Sequence, residues 1–214
     1  MRNLISIVRC FLKRCYRFWK TFLWYFIFPL KTRILALFWG IKCGRNVRFM
    51  GRTIIRTHEK NSICVGNDVI FNSLDNINLV GLTGPTILCT SKDSKIIIGN
   101  GSGFSSVVLN SRGLIQIGDN VNIGGNVRIF DHDFHPLEWW ARRKPEQIEK
   151  TRVSPVVIGD DVFVGTNAII LKGTRIGARS IVAAGSVIFG LDIPPDSIVK
   201  GNPAIIVKRN LPQK

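Results

Sequence analysis

The chain has 214 residues, room for one domain of ordinary size, and carries 30 Lys and Arg against 14 Asp and Glu, a formal charge of +16. A hydrophobic content of 45% excludes a disordered chain, and the glycines have no triplet period, which excludes collagen. The five cysteines are odd in number and form no C-x-x-C pair, so a reducing compartment fits better than a disulfide framework.

The charge is concentrated at the N-terminus. Residues 1–52 hold 12 Lys and Arg and no acid, the first being Glu59. Arg2, Ser6, Arg9, Lys13, Arg17 and Lys20 recur every three or four residues and share one face of a helix, with Ile5, Val8, Leu12, Cys15, Trp19, Phe22 and Phe26 lying away from it. Pro29 is expected to break this helix, and Ile34, Leu35, Leu37, Phe38 and Ile41 to begin a second short apolar element. The longest uncharged stretch, Thr21–Leu30, has ten residues, about half of what a membrane-spanning helix needs. No small-x-small cleavage site follows it, so a secretory signal fits poorly. An apolar face beside a basic one suits a helix lying on an anionic membrane surface, or one packed on the domain or a neighbouring subunit. Six Phe and three Trp in the first 40 residues exceed what phosphate binding needs, and no recognition motif accompanies them, so nucleic acid is not expected as a partner. Residues 1–52 are read as a basic, helical, membrane-associating segment and 53–214 as a separate folded domain.

Beyond it the chain repeats every six residues. Ile158, Val164, Ile170, Ile176, Val182 and Ile188 are all Ile or Val, and Gly159, Gly165, Gly177 and Ala183 follow four of them. Ile117-Gly118, Ile123-Gly124 and Ile129 continue the pattern upstream, with weaker copies, out of phase, at Val65-Gly66 and Ile98-Gly99. Neither a helix nor a half-buried strand has this period, whereas a solenoid of short parallel strands does. With three hexads to a coil, Ile158 stacks on Ile176, Val164 on Val182 and Ile170 on Ile188, and the glycine relieves crowding at the turn. The period is expected to be interrupted at length only once, by a protruding loop near 130–152 that opens Asp131-His132-Asp133-Phe134-His135-Pro136 and holds Trp139 and Trp140. Long loops on a solenoid usually carry function. His58 lies before the regular repeats and is read as incidental.

From about residue 60 to 208 the chain resembles the hexapeptide-repeat acyltransferases. The resemblance rests on the hexads, on His135-Pro136 opening a loop, on Val156–Gly165, on Ala184-Gly185-Ser186-Val187 and on Gly201-Asn202-Pro203-Ala204. It is similar to the branch containing maltose, galactoside and sugar-polymer O-acetyltransferases. That resemblance implies an all-β fold, a left-handed parallel β-helix, assembled as a homotrimer with active sites between subunits. It implies acetyl-CoA as co-substrate, no metal, and His135 as general base, with room for His132 in that role. Thr166, Gly165, Ala184 and Lys208 match the acyl-CoA site, while Ile205 stands where the family has a second basic residue.

Transfer of an acetyl group from a thioester to a sugar hydroxyl needs a base near neutral pH, which imidazole supplies. Asp131 and Asp133 are the candidate carboxylates to orient the ring of His135, and Trp139 and Trp140 could stack on a sugar or close the loop against a neighbour. The expected function is sugar O-acetylation in capsule, exopolysaccharide or lipopolysaccharide assembly, on a free or lipid-linked saccharide at the cytoplasmic face of the membrane. The alternatives are an amino-sugar N-acyltransferase or serine acetyltransferase, and a non-enzymatic membrane scaffold. A γ-carbonic-anhydrase-like zinc enzyme is disfavoured, because Thr166-Asn167 stand where that family's later His residues would fall.

Overall fold

The computed structural model describes residues 9, 11–16, 18–19 and 22–208. Among these, the strands form three sheets of seven, eight and six strands, parallel except for the last pair. Each coil places one strand on each sheet, so the molecule is a three-faced prism whose walls are the sheets.

Three columns of side chains fill the prism. On the first face Cys43, Val65, Ile98, Ile117, Ile158, Ile176 and Ile193 are consecutive partners. The second carries Phe49, Phe71, Phe104, Ile123, Val164, Val182 and Val199. The third carries Ile55, Leu88, Leu109, Ile129, Ile170 and Ile188. All except the half-buried Cys43 are buried. The three stackings expected at eighteen-residue spacing are all present. In the early coils, Phe49, Phe71 and Phe104 lie face to face, with centroids 4.6 and 4.7 Å apart. Gly165 shows why glycine follows the column: a Cβ there would lie 2.5 Å from the backbone nitrogen of Ala184.

Three features differ from the sequence reading. Strands begin at Lys42, inside the segment that charge alone assigns to the N-terminal region. Pro29 does not break the helix. A π-helical turn, Leu23–Ile27, runs straight into helix α1, Phe28–Trp39, with Pro29 in its first turn. The wider turn accommodates a ring that would otherwise press on the carbonyl four residues earlier. Helix α1 ends at Gly40, whose φ of 62° is the left-handed conformation that glycine tolerates. Finally, the coils make a second long excursion at residues 74–85, where the sequence shows only Asn-, Gly- and Pro-rich turn chemistry.

Helix α1 covers the open end of the prism. Phe28 and Thr32 are buried, and Leu35, Ala36 and Trp39 pack on the core. Thr32 Oγ1 accepts a hydrogen bond from the Phe49 backbone N–H at 3.1 Å, and the Lys31 ammonium donates to the Gly51 carbonyl. The opposite face of α1 leaves Leu30, Ile34, Leu37 and Phe38 exposed, Leu37 to 85%. Upstream, Leu12, Trp19 and Phe26 are exposed as well. Of the expected basic stripe, Arg9 and Lys13 are described, whereas Arg2, Ser6, Arg17 and Lys20, like Ile5 and Val8, lie outside the described residues.

Candidate active site

The three edges of the prism are unequal. Between the first and second faces, side chains knit coil to coil. Asn67 Oδ1 accepts from Arg45 N–H, Asn100 Oδ1 from Asn67 N–H, Asp119 Oδ1 from Asn100 N–H and Asp160 Oδ1 from Asp119 N–H. Asn46, Asp68, Asn120 and Asp161 hold left-handed conformations there, which Asn and Asp tolerate better than other side chains. That edge is structural, and each of the other two carries a long excursion.

The loop bearing both histidines leaves the edge between the third and first faces. Its root is a clasp: Ser154 N–H donates to the Asp131 carbonyl at 2.8 Å and Asp133 N–H to the Arg152 carbonyl at 3.0 Å, with His132 bridging Val153. Asp131 is sealed inside this clasp. Its carboxylate accepts from Ser111 Oγ at 2.6 Å and from the backbone N–H groups of Arg112 and Gly113 at 2.8 and 2.9 Å, and lies 2.9 Å from His132 Nδ1. Burial opposes its ionisation, but the bonds from His132, Ser111, Arg112 and Gly113 outweigh burial and hold its pKa below the ordinary carboxylate value.

The two histidines are therefore in opposite situations. The His132 side chain is 1% exposed and packs on Phe134, with ring centroids 4.7 Å apart. His135 is exposed. Neither expected carboxylate serves His135: Asp131 is bound to His132, and Asp133 accepts from Lys172 Nζ at 2.6 Å. The reason is geometric. Residue 131 still continues the coil and points its side chain inward, whereas Asp133 lies beside the neighbouring turn that carries Lys172. Past His135 the loop exposes Leu137, Trp139 and Trp140, and stacks the guanidinium of Arg143 over the Trp139 ring at 4.9 Å. The rings are open to a partner rather than folded onto their own coils.

Thr166, Gly165 and Ala184 lie on the remaining edge, between the second and third faces. Gly185 N–H donates to the Thr166 carbonyl at 2.9 Å, so the two turns stack as expected. The Gly201–Ala204 turn follows one coil later, with Gly201 N–H donating to Ser186 Oγ at 3.3 Å. Lys208 pairs with Ile198 at the far end of that last hairpin, a strand's length from the turn. Excursion 74–85 folds over this edge. Asn126, itself buried, accepts from Thr83 N–H at 2.9 Å and donates to the Gly81 carbonyl at 3.0 Å. Val80 and Leu82 lie beside Gly125, next to the Thr166 methyl. The turns are built of small residues, Gly124-Gly125, Gly165-Thr166 and Ala183-Ala184-Gly185; Gly125 and Gly165 are buried, whereas Ala184 and Gly185 are exposed, and a Cβ on Gly185 would meet open space. Such an edge leaves room for a thin, extended ligand against backbone.

Thr166 and the root of the His135 loop are thus at opposite margins of the third face, about 16 Å apart for five extended residues. Within one copy the structure does not bring them together. It does assemble a cavity of about 610 Å³ at the loop's own edge, which the sequence reading missed: His58 lines it, with Arg56, Lys92 and Arg112. Among the described residues, no group of three or more His, Cys, Asp or Glu is arranged to hold a metal ion.

Comparison with known proteins agrees with the coil. Residues 155–190 match the family described as bacterial transferase hexapeptide (six repeats). Over 62 residues the chain is 47% identical to a 2,3,4,5-tetrahydropyridine-2,6-dicarboxylate N-acetyltransferase of Staphylococcus aureus, covering 29% of this chain and 26% of that protein. The chain thus spans about a quarter of the length of the curated relatives it matches. Among solved structures, a hexapeptide-repeat-containing acetyltransferase from Vibrio cholerae superposes with a TM-score of 0.52 at 24% identity, over 85% of this chain and 80% of that one. AntD, an N-acyltransferase from Bacillus cereus solved with dTDP and 3-hydroxybutyryl-CoA, gives 0.65 at 20% identity, over 84% and 88%.

Proposed function

We propose that this chain, a hexapeptide-repeat protein, is an acyltransferase that moves an acetyl group from acetyl-CoA to a sugar hydroxyl. The observation that carries the reading is the pairing of two features on separate edges: a small-residue edge at Gly165, Thr166 and Ala184, and a protruding loop with an exposed His135. The first suits a thin pantetheine arm, and the second offers a base open to solvent. A left-handed coil assembled as a homotrimer, as the resemblance implies, would set the loop of one copy against the small-residue edge of the next.

In this reading His135 takes the proton of the attacking hydroxyl. The oxygen bonds to the thioester carbon, the C–S bond breaks, and the proton passes to the leaving sulfur. No acyl-enzyme forms. Thr166 and Ala184 flank the thioester arm, Lys208 faces the phosphates of CoA, and Trp139 and Trp140 offer stacking surfaces for the acceptor. Asp131 and His132 hold the loop's root as a positioning pair. A second assignment, with His132 as base, is favoured by its 2.9 Å contact to Asp131, since a catalytic imidazole is usually oriented by such a carboxylate. His135 is preferred because a base must reach its substrate.

The basic, aromatic N-terminal segment and the exposed face of α1 support attachment to the inner surface of the cell membrane. There the enzyme would act on saccharides destined for capsule, exopolysaccharide or lipopolysaccharide, whether free or lipid-linked. No helix among the described residues is long and apolar enough to cross a membrane. Transfer to an amine is the second reading of the reaction, favoured by the 62-residue similarity to an N-acetyltransferase. The test is incubation of the full chain with acetyl-CoA and matched hydroxyl- and amino-sugars, read by thiol release and mass of the product. Ester formation on a hydroxyl supports the proposal. Amide formation alone replaces it with the second reading, and no thiol release with intact CoA binding refutes both.

A further inference from the structure

The cavity of about 610 Å³ lies at the edge from which the His135 loop departs, in the coils between that loop and α1. Its wall is built by stacking. Arg56 pairs with Cys89, and Cys89 with Asn110, so the turns that follow these strands lie one above another. They bring Arg56, His58, Lys92 and Arg112 to one concavity although 56 residues separate the first from the last. Two coil steps give the wall a height of about 10 Å.

The lining is basic and carries no acid. Among the described residues, no ion pair engages Arg56 or Lys92. Glu59 accepts from the Asp93 backbone N–H, and Asp131 is sealed in the clasp. Arg112 is positioned at the root of the catalytic loop by donating to Thr151 Oγ1 at 2.8 Å. Burial pushes the Cys89 thiol up, against the pull of Arg56 and Arg112, so it adds no negative charge. Arg56 and Lys92, with no acid among the lining residues, make the concavity positive, which suits a polyanion. The cavity exceeds a single phosphate in height and volume, and the hydroxyls of Thr57 and Ser91 add further polar contacts.

We propose that this cavity binds the diphosphate of the acceptor, holding a sugar diphosphate so that its sugar reaches toward the His135 loop. The proposal rests on the acyltransferase reading for the ligand's role, though not for its charge. Two compounds share that chemistry, a nucleoside diphosphate sugar and a polyprenyl diphosphate sugar. The floor of the site adjoins α1, since Thr57 Oγ1 donates to the Trp39 carbonyl at 2.7 Å, and the outward face of α1 is apolar. That arrangement suits a diphosphate arriving from a membrane surface.

The experiment titrates inorganic pyrophosphate into the full chain by calorimetry at low salt, with Arg56→Gln/Lys92→Gln as the comparison. Both side chains are exposed, so the variant should keep its melting temperature. The expected result is pyrophosphate binding that weakens with added salt and falls at least about tenfold in the double variant, while CoA affinity is unchanged. Absence of binding at millimolar pyrophosphate, equal binding by the variant, or competition with CoA would overturn the proposal. In turnover, the double variant should raise KM at least about tenfold for whichever sugar diphosphate is used, with KM for acetyl-CoA unaltered. Supplying one acceptor in vesicles and the other in solution identifies the source. If pyrophosphate binding depends on Arg56 and Lys92 but no acyl transfer occurs, the anion site stands and the acyltransferase reading fails. Acyl transfer without pyrophosphate binding leaves that reading standing and removes this one.

Discussion

His132 Nδ1 lies 2.9 Å from Asp131 Oδ1, and the two side chains are sealed from solvent at the point where the His135 loop leaves its coil. Three further hydrogen-bond donors converge on the same carboxylate. Removing it in Asp131→Ala strands buried donors, each costing about 1–3 kcal/mol. A loss of at least about 2 kcal/mol in chemical denaturation is expected, together with faster proteolysis of the loop.

The same carboxylate carries a pH signature. Its pKa is depressed in the folded state, so its stabilisation is present at neutral pH and is lost as pH falls through the folded value. The stability gap between the wild type and Asp131→Asn should therefore be constant near neutrality and shrink in acid. A gap that widens in acid would mean that Asp131 is not held ionised by its donors.

The roles of the two histidines separate by kinetics. His135→Ala should lower kcat by at least about 100-fold, with KM for acetyl-CoA and melting temperature nearly unchanged. His132→Ala should lower melting temperature as well, because it removes a buried partner of Asp131. A silent His132→Ala enzyme that keeps its stability, beside an active His135→Ala, reverses the assignment.

At the other edge, a bulky side chain at the exposed Ala184 should obstruct the pantetheine arm. Ala184→Trp is expected to raise KM for acetyl-CoA at least about tenfold while leaving thermal stability nearly intact. One coil earlier, Gly165→Ala should instead cost about 1–3 kcal/mol of stability, since its Cβ would lie 2.5 Å from the Ala184 nitrogen.

The membrane prediction is sharpened by the fold. Deleting residues 1–41 would strip α1 from the end of the prism and uncover Phe49, so its outcome would mix anchoring with unfolding. Replacing the exposed Leu30, Ile34, Leu37 and Phe38 by Gln avoids this, because Phe28 and Thr32 still pack inward. That variant should keep its melting temperature and bind anionic vesicles at least about tenfold less, and wild-type binding should weaken in high salt.

Much of the coil was legible because Ile and Val recur at one spacing wherever no insertion intervenes, from Ile158 to Ile188. It faded upstream, where Phe49, Phe71 and Phe104 replace the branched residues and the 74–85 excursion shifts the phase. The His-Pro loop was legible from its length alone. Two properties of the site were not. Adjacent letters could not tell that Asp131 turns inward and takes His132 with it, or that Asp133 turns to Lys172, so that neither expected carboxylate meets His135. Nor could they place His58 beside Lys92 and Arg112, because that proximity exists only once the intervening coils have been counted and stacked.

Helix α1 is fastened to the first coil by Thr32 and Lys31, and the His135 loop leaves the fourth. Three coil steps stand between them, about 14 Å along the axis at the usual strand spacing. The solenoid is thus a stiff spacer of countable units. Each coil added between α1 and the loop would raise the loop by about 4.8 Å. Reach from the helix-bearing end to the His135 loop becomes an integer property of the chain, adjustable in single-coil increments.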